Sequence, residues 1–441
     1  QGKPNECSED VENQPEEKGS DGHSLGVKHP TTYLESLFHL IKGNIGSGVF
    51  AMGDAFKNAG LLLAPVLTIF LGFVCIYGNH VLINCSKELG RRRKMRQYPT
   101  FPDTMEWSFQ TGPKCFQRFS HTIRFLVSLF NIMAQLGFCS VYFVFISSTL
   151  HTILKRHGYL VDVHVLMAII LIPMVSTAMV RNLKFLVPFS VLANILTGAG
   201  VCLTMYISMH DLPPITSRNA VGSISTIPLF FGTVIYCFEG IGLVLPLQSE
   251  MKNPDKFGSR FGVLNVGMTI VGCALLWVGF VGYLKYGEDV AGSLTLNLPK
   301  NSLFSEVVQL TIAIGLLFSY ALQFHVAVTF VWPDYNRKYG PFKHPVLAEC
   351  GIRLGMALIT FVAAEVVPKL GLFISLLGSV SSTALALVFP PLCDLALHWG
   401  HQPGPNYLFD CVSLLLAVVG FSTGTFYSLR DIIRAFFYSP T

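Results

Sequence analysis

A glycine-rich stretch interrupts the first apolar segment of the chain, where residues 39–50 read HLIKGNIGSGVF. Glycine is a poor helix former, and three glycines here fall within six residues. An open turn is tolerated inside a membrane only where it lines a cavity. Amides that begin the second half-helix would then face an anion such as a carboxylate. We therefore predict a broken helix with a binding site at Asn44, Ile45, Gly46, Ser47 and Gly48. The alternative is close helix packing through small residues.

The composition of the whole chain indicates a membrane protein. Of 441 residues, 51% are hydrophobic and only 13% are charged, whereas soluble domains carry about 25% charged residues. So few charges cannot cover a surface that faces water, and we expect most of the surface to face a lipid bilayer. The basic residues lie in short loops, and no nucleic-acid-binding motif accompanies them.

The apolar runs predict an all-α integral membrane protein with eleven transmembrane helices, because each run is long enough to cross the hydrocarbon layer as a helix. The acidic, polar residues 1–30 predict a disordered cytoplasmic tail, and residues 31–430 form the predicted transporter domain. The spans are expected near 33–58, 61–86, 122–154, 163–180, 184–208, 226–248, 262–286, 304–332, 346–367, 370–393 and 407–429.

Lys and Arg residues are concentrated in every second loop, for example at Arg91–Lys94 and at Lys252, Lys256 and Arg260. Basic loops remain in the cytoplasm. This pattern predicts a cytoplasmic N-terminus and, with eleven spans, a C-terminus outside the cell or in a lumen.

The sixth span carries a second interruption, because residues 231–246 read FGTVIYCFEGIGLVLP. Glycines lie at its centre beside an acid, Glu239, and a carboxylate inside a membrane usually has a function. Glu239 either carries a transported proton or fastens the broken helix to backbone amides, and the sequence leaves both open.

Breaks in the first and sixth spans indicate five helices followed by five inverted helices, with a site at the midplane between the broken pair. Repeat one is expected at about 31–208 and repeat two at about 226–393, with an extra helix at about 407–429. The two halves share no clear sequence identity.

His39 lies one turn before the first break and is a candidate for proton coupling, since histidine exchanges protons near neutral pH. The alternative is an imidazole that only makes a structural hydrogen bond. Span 8 offers Ser319 and Tyr320 rather than a hydroxyl pair, which argues against sodium coupling. With no nucleotide-binding, zinc or nucleophile motif, we expect no enzyme activity, no catalytic residue, no metal and no cofactor.

Three motifs occur in order and resemble the proton-coupled amino acid transporters of the amino acid/auxin permease group. They are HLIKGNIGSG with AFKNAG at 39–60, FEGIG through EMKNP at 238–254, and GSVSSTALA with PP at 378–391. The resemblance implies a LeuT-like fold of eleven helices and symport of small neutral amino acids with protons. It also implies that His39 takes part in proton coupling, that the substrate carboxylate meets the first break, and that its amine meets backbone carbonyls at 233–238. The substrate contacts that the resemblance implies in the sixth span are Thr233, Tyr236, Cys237 and Phe238.

The predicted outer loops contain no cysteine, although cell-surface members of that family have paired ones. Plasma membrane and lysosomal membrane therefore both remain open. A second hypothesis is an amino-acid sensor with little flux, whose acidic tail binds a signalling partner.

Overall fold

Helices make up nearly all of the structure, as the sequence predicts. A computed structural model describes residues 30–95, 98–181, 183–299, 302–340, 342–367, 369–400 and 405–437. The predicted disordered tail, residues 1–30, lies outside the described residues except for Pro30. The helices are α1 (Tyr33–Asn44), α2 (Ser47–Ala59), α3 (Leu63–Arg92), α4 (Phe101–Thr111), α5 (Lys114–Gln117), α6 (Ser120–Arg156), α7 (Val163–Ala178), α8 (Leu183–Ser208), α9 (Ile227–Cys237), α10 (Ile241–Glu250), α11 (Val263–Tyr286), α12 (Leu303–Tyr339), α13 (Pro345–Val366), α14 (Leu370–Leu377), α15 (Phe389–Leu397) and α16 (Pro405–Phe437).

In the described ranges, nine helical segments are long and apolar enough to cross a membrane. Two of them are composite, since Ile227–Glu250 joins α9 to α10 and Leu370–Leu397 joins α14 to α15. Helix α7 is apolar but has only 16 residues. Large apolar side chains such as Phe38, Ile172 and Leu415 are about two-thirds exposed, which is the surface that a bilayer requires. The protein is therefore a multi-pass membrane protein.

Several helices run past the predicted ends of their spans. Helix α3 continues to Arg92 rather than ending near residue 86, and α12 continues to Tyr339 rather than 332. Charged residues one turn apart pair along these extensions, as Arg92 does with Glu88 and Arg337 with Asp334. A span predicted from hydropathy ends where charged residues begin. The helix itself continues further, because ion pairs one turn apart stabilise it.

Helices α2 and α9 lie at the centre of the bundle, and nearly every residue of both is buried. Close packing around them depends on residues without a side chain. The Cα of Gly378 lies directly against the carbonyl of Gly232 in α9, and Gly279 of α11 leaves room for the ring of Phe56 in α2. From Gly378 to Val388 the chain forms π-helical turns between α14 and α15, a feature that often occurs at functional sites.

A backbone bridge joins the chain before α1 to the chain after α10. The amide of Thr31 donates to the carbonyl of Glu250 at 2.8 Å, and the amide of Lys252 donates to the carbonyl of Thr31 at 3.0 Å. We call the end of the bundle where these residues meet the tail side. The bridge means that α1 and α10 are connected at this end.

A buried arginine fastens α13 to the end of α7. Arg353 is 2% exposed and pairs with Glu349 at 2.9 Å, and its guanidinium also donates to the carbonyls of Ala178 and Val180. Arg181 binds the other oxygen of the same carboxylate at 2.7 Å. The network holds the chain that leaves α7 against α13.

Replacing Arg353 with methionine should lower the unfolding temperature clearly, because removing one partner of a buried ion pair costs about 3–5 kcal/mol. Thermal unfolding of the detergent-solubilised protein measures the effect. Arg337→Met is the matched control, since the Arg337–Asp334 pair is mostly exposed and should contribute almost nothing. Equal unfolding temperatures for the two variants would contradict this role of Arg353.

Candidate functional site

The first predicted break is present between α1 and α2. Helix α1 ends at Asn44, and α2 begins at Ser47 after two non-helical residues, Ile45 and Gly46. Gly46 precedes α2 and supplies no side-chain cap. The first amides of a helix have no acceptor within it, so the amides of Ser47 and Gly48 point out of the helix end as donors.

The second predicted break is present between α9 and α10. Helix α9 ends at Cys237, and α10 begins at Ile241 after Phe238, Glu239 and Gly240. Of the last carbonyls of α9, those of Val234 and Tyr236 accept from the amides of Phe238 and Glu239, whereas those of Ile235 and Cys237 have no backbone partner among the described residues. Helix ends carry partial charges, and here the positive start of α2 and the negative end of α9 lie inside the bundle.

The two breaks contact each other directly. The hydroxyl of Ser47 lies 3.3 Å from that of Tyr236, and the thiol of Cys237 donates to the carbonyl of Gly48 at 3.2 Å. Asn44 packs against Gly240 so closely that a Cβ at Gly240 would lie 2.7 Å from its Nδ2 atom. A positive helix start and a negative helix end thus face one small space, which suits a zwitterion.

That space is a small cavity of about 30 Å³, which is lined by Gly43, Asn44, Gly46, Ser47, Gly48, Phe138, Tyr142, Tyr236, Cys237, Glu239 and Gln323. A larger cavity of about 380 Å³ lies beside it between α1, α8, α10 and α12. We call this larger cavity the vestibule. It extends from Gly46 and Tyr142 to Glu250 at the tail side, so it connects the first break with that side of the bundle.

The structure brings most of the predicted substrate residues to these two cavities. Asn44, Gly46, Ser47, Gly48, Tyr236 and Cys237 line the small cavity, and Ile45 lines the vestibule. The side chains of the other two lie elsewhere. The Thr233 hydroxyl donates to the carbonyl of Leu229 at 3.1 Å, and the Phe238 ring packs near Gly72 of α3 in a separate pocket.

The two candidates for proton coupling occupy different places. His39 lies in the vestibule wall and is exposed there. Glu239 is 7% exposed at the small cavity, and its Oε2 atom has no hydrogen-bond partner among the described residues. Lys42, which could have paired with this carboxylate, instead donates to the hydroxyl of Ser190 in α8. A carboxylate with an unpartnered oxygen in such a place is costly unless it is protonated or meets a ligand.

Sequence reasoning missed three residues of the small cavity: Phe138 and Tyr142 in α6, and Gln323 in α12. The ring of Phe138 packs edge-on against Tyr236 with centroids 4.9 Å apart. Tyr142 and Gln323 are polar residues inside predicted spans, but their spans hold other polar residues, such as Gln135 and His325. Neither residue lies near a helix break in the sequence, so no local signal singles them out.

Comparison with known proteins gives a consistent result. A family model described as transmembrane amino acid transporter protein matches residues 29–430. The proton-coupled amino acid transporter-like protein pathetic of Drosophila melanogaster is 34% identical over 412 residues, which cover 92% of this chain and 87% of that protein. The probable amino acid transporter skat-1 of Caenorhabditis elegans is 26% identical over 448 residues, and the match covers 95% of each chain.

Two solved structures of Mhp1, a nucleobase-cation-symport-1 family transporter, have a similar fold. The inward-facing conformation matches with a TM-score of 0.53 and 14% identity, covering 94% of this chain and 92% of that one. The closed conformation with bromovinylhydantoin bound matches with a TM-score of 0.50 and 16% identity, covering 94% and 95%. At these identities the likeness concerns the fold alone, and it supports the LeuT-like architecture that the motifs imply.

Proposed function

Because the chain belongs to the transmembrane amino acid transporter family, we propose that it carries small neutral amino acids together with protons across a membrane. The observation that carries this proposal is the contact between two helix breaks inside the bundle. The start of α2 and the end of α9 present opposite partial charges to one cavity. Free amino acids are zwitterions, and they match that pair of helix ends.

In the proposed complex, the substrate carboxylate accepts hydrogen bonds from the amides of Ser47 and Gly48. Its ammonium group donates to carbonyls in the stretch 233–238. The side chain faces the small cavity beside Phe138 and Tyr142, whose limited space selects small amino acids. Closure of the vestibule and opening of the opposite side would then complete alternating access.

The proton path in this proposal begins at His39, whose imidazole faces the vestibule. Glu239 is the second proton site, because its buried carboxylate has an oxygen with no partner among the described residues. Substrate binding and protonation would be linked, since both breaks border the cavity that holds Glu239.

The proposed topology has eleven spans, in which α1 with α2 and the short α7 join the nine long segments. They form five helices, five inverted helices and one added helix. Arg91 and Arg92 end α3, whose Lys87 pairs with Asp255 beyond α10, and Lys252 lies in the backbone bridge that defines the tail side. The positive-inside rule therefore places the tail side in the cytoplasm and the C-terminus outside or in a lumen. The membrane is the plasma membrane or the lysosomal membrane.

A panel of labelled amino acids in proteoliposomes tests this function. With an inward proton gradient, alanine, glycine or proline should accumulate above the level seen without the gradient. Lysine and glutamate should not accumulate. Failure of every neutral amino acid to enter would overturn the proposal.

Tyr142→Phe should raise the half-saturation concentration for uptake by about 2- to 12-fold, because one hydrogen bond contributes about 0.5–1.5 kcal/mol. The reason is the position of the phenol, which lies 3.8 Å from where a Cβ at Gly46 would stand. Tyr206→Phe is the control, since Tyr206 is 61% exposed on the outside of α8. An unchanged half-saturation for Tyr142→Phe would remove this hydroxyl from the site.

A sensor role is the second candidate, and one observation favours it. The chain before α1 is bridged to α10 through Thr31, so a partner that bound the acidic tail would act on helices that line the vestibule. Amino-acid-dependent binding of a partner, lost on deletion of residues 1–29, would support sensing. Strong concentrative uptake by the same deletion variant would make transport the main function.

A further inference from the structure

Lys42 places a positive charge in the vestibule wall without a matching negative charge. It lies two residues before the end of α1, and its ammonium group donates to the Ser190 hydroxyl of α8. Among the described residues, no carboxylate lies within 4.0 Å of it. A charge at this depth in a membrane is costly and usually pairs or serves a ligand.

Three polar residues lie on one face of α8 beside Lys42. Ser190, Asn194 and Thr197 follow the spacing i, i+4, i+7, which puts them on one side of the helix. All three line the vestibule together with Lys42. Thr197 is 6% exposed, and its Oγ1 atom has no hydrogen-bond partner among the described residues. This oxygen is enclosed between α8 and α12, because it lies 2.9 Å from where a Cβ at Gly315 would stand, so Ser190 and Asn194 are the polar residues of this face that a ligand in the vestibule can reach.

The other charged groups of the vestibule leave this cluster positive. On α1, His39 lies one turn from Lys42 and is neutral or positive. On α10, Glu250 lines the cavity at its tail-side mouth and forms no ion pair with Lys42. The lining residues from α6 and α12 are uncharged. The vestibule therefore has an acid at its mouth and a basic, hydrogen-bonding wall closer to the break.

We propose that Lys42, Ser190 and Asn194 form a carboxylate-binding subsite in the vestibule, separate from the site between the breaks. Ammonium and carboxylate form strong charge-assisted hydrogen bonds, and the neighbouring hydroxyl and amide offer further donors. The subsite would hold an amino acid by its carboxylate between the central cavity and the tail side. Only this identification of the ligand rests on the proposed transport function.

A second source of carboxylate is the bilayer. A neighbouring cavity of about 390 Å³ shares Lys42, Asn194 and Thr197 and opens between Phe38 and Val191. These two apolar side chains are 69% and 52% exposed on the lipid-facing surface. A fatty acid could therefore reach the same ammonium group from the side, so the test must separate the two sources.

Thermal unfolding of the purified full chain with small acids tests the subsite without measuring transport. Propionate has a carboxylate but no amine, decanoate adds an acyl chain, and propylamine is the control without a carboxylate. Propionate at about ten times its Kd should raise the wild-type unfolding temperature by about 2 °C, whereas propylamine should not. The rise should vanish in Lys42→Gln, shrink in Asn194→Leu and persist in Lys42→Arg, whose guanidinium binds carboxylates equally well.

The concentrations required identify the source of the carboxylate. If decanoate acts at a concentration tenfold or more below propionate, the ligand is a lipid acid; similar concentrations indicate a free amino acid. The subsite proposal is overturned if propionate stabilises Lys42→Gln as much as wild type. It is also overturned if propionate has no effect on the unfolding temperature of wild type. Should Lys42→Gln fail to fold, Asn194→Leu and Lys42→Arg still decide the question. Stabilisation by alanine that survives in Lys42→Gln reports the central site, so failure of the subsite and failure of the transport proposal remain distinguishable.

Discussion

Replacing Gly240 with valine should reduce amino acid uptake by a factor of about 5 to 150, while the protein still inserts and folds. A Cβ at this position would lie 2.7 Å from Nδ2 and 2.8 Å from Oδ1 of Asn44. To make room, the Asn44 amide must leave the carbonyl of Leu40, to which it donates at 2.9 Å. Overpacking of this kind costs about 1–3 kcal/mol, and each 1.4 kcal/mol is a factor of ten.

The loss of uptake should come from crowding at the contact between the two breaks, and not merely from replacing a glycine with valine. Gly355→Val is the matched control, because nothing lies within 4 Å of a Cβ at this exposed position in α13. Initial rates of labelled alanine uptake, corrected for the amount of folded protein, measure both variants. Wild-type uptake by Gly240→Val would mean that the packing of Asn44 on Gly240 is not needed for transport.

Replacing His39 with alanine should abolish the accumulation of amino acid that a proton gradient drives. His39 is the titratable imidazole in the vestibule wall, and its loss removes the group from which the proposed proton path begins. Exchange of labelled for unlabelled alanine moves no net proton, so it should stay within about twofold of wild type. Uptake with and without the gradient, and exchange at equal pH, separate these two activities.

His325 of α12 provides the comparison for His39. It is another histidine inside a predicted span, and its Nδ1 atom has no partner among the described residues. It does not line the vestibule, so His325→Ala should retain gradient-driven accumulation. If His39→Ala keeps that accumulation and His325→Ala loses it, proton coupling passes through α12.

The two helix breaks could be predicted from the sequence because their cause is local. Gly43, Gly46 and Gly48 lower the helix propensity within less than two turns, and lipid forbids an open turn unless it lines a cavity. Both breaks lie within the predicted stretches. The existence of most spans could be predicted for the same reason, since crossing the hydrocarbon layer requires a run of apolar residues.

The cavity walls that face the first break could not be predicted from the sequence, because they depend on contacts between helices that are far apart along the chain. Tyr142 and Gln323 reach the small cavity because α6 and α12 pack beside the first break, and no local pattern encodes that packing. The partner of Lys42 is another example, because Ser190 lies 148 residues away along the chain. The side chains of Thr233 and Phe238 point away from the small cavity. Their directions depend on how the end of α9 is rotated about its axis, and the positions of the glycines do not determine that rotation.

Coupling of amino acid entry to proton entry is the central claim, and the pH inside a liposome measures it most directly. Proteoliposomes with a trapped pH dye and equal pH on both sides receive alanine from outside. We expect the interior to become more acidic as alanine enters, and we expect no change in liposomes without protein or with His39→Ala. Entry of labelled alanine with no change of interior pH would contradict proton symport.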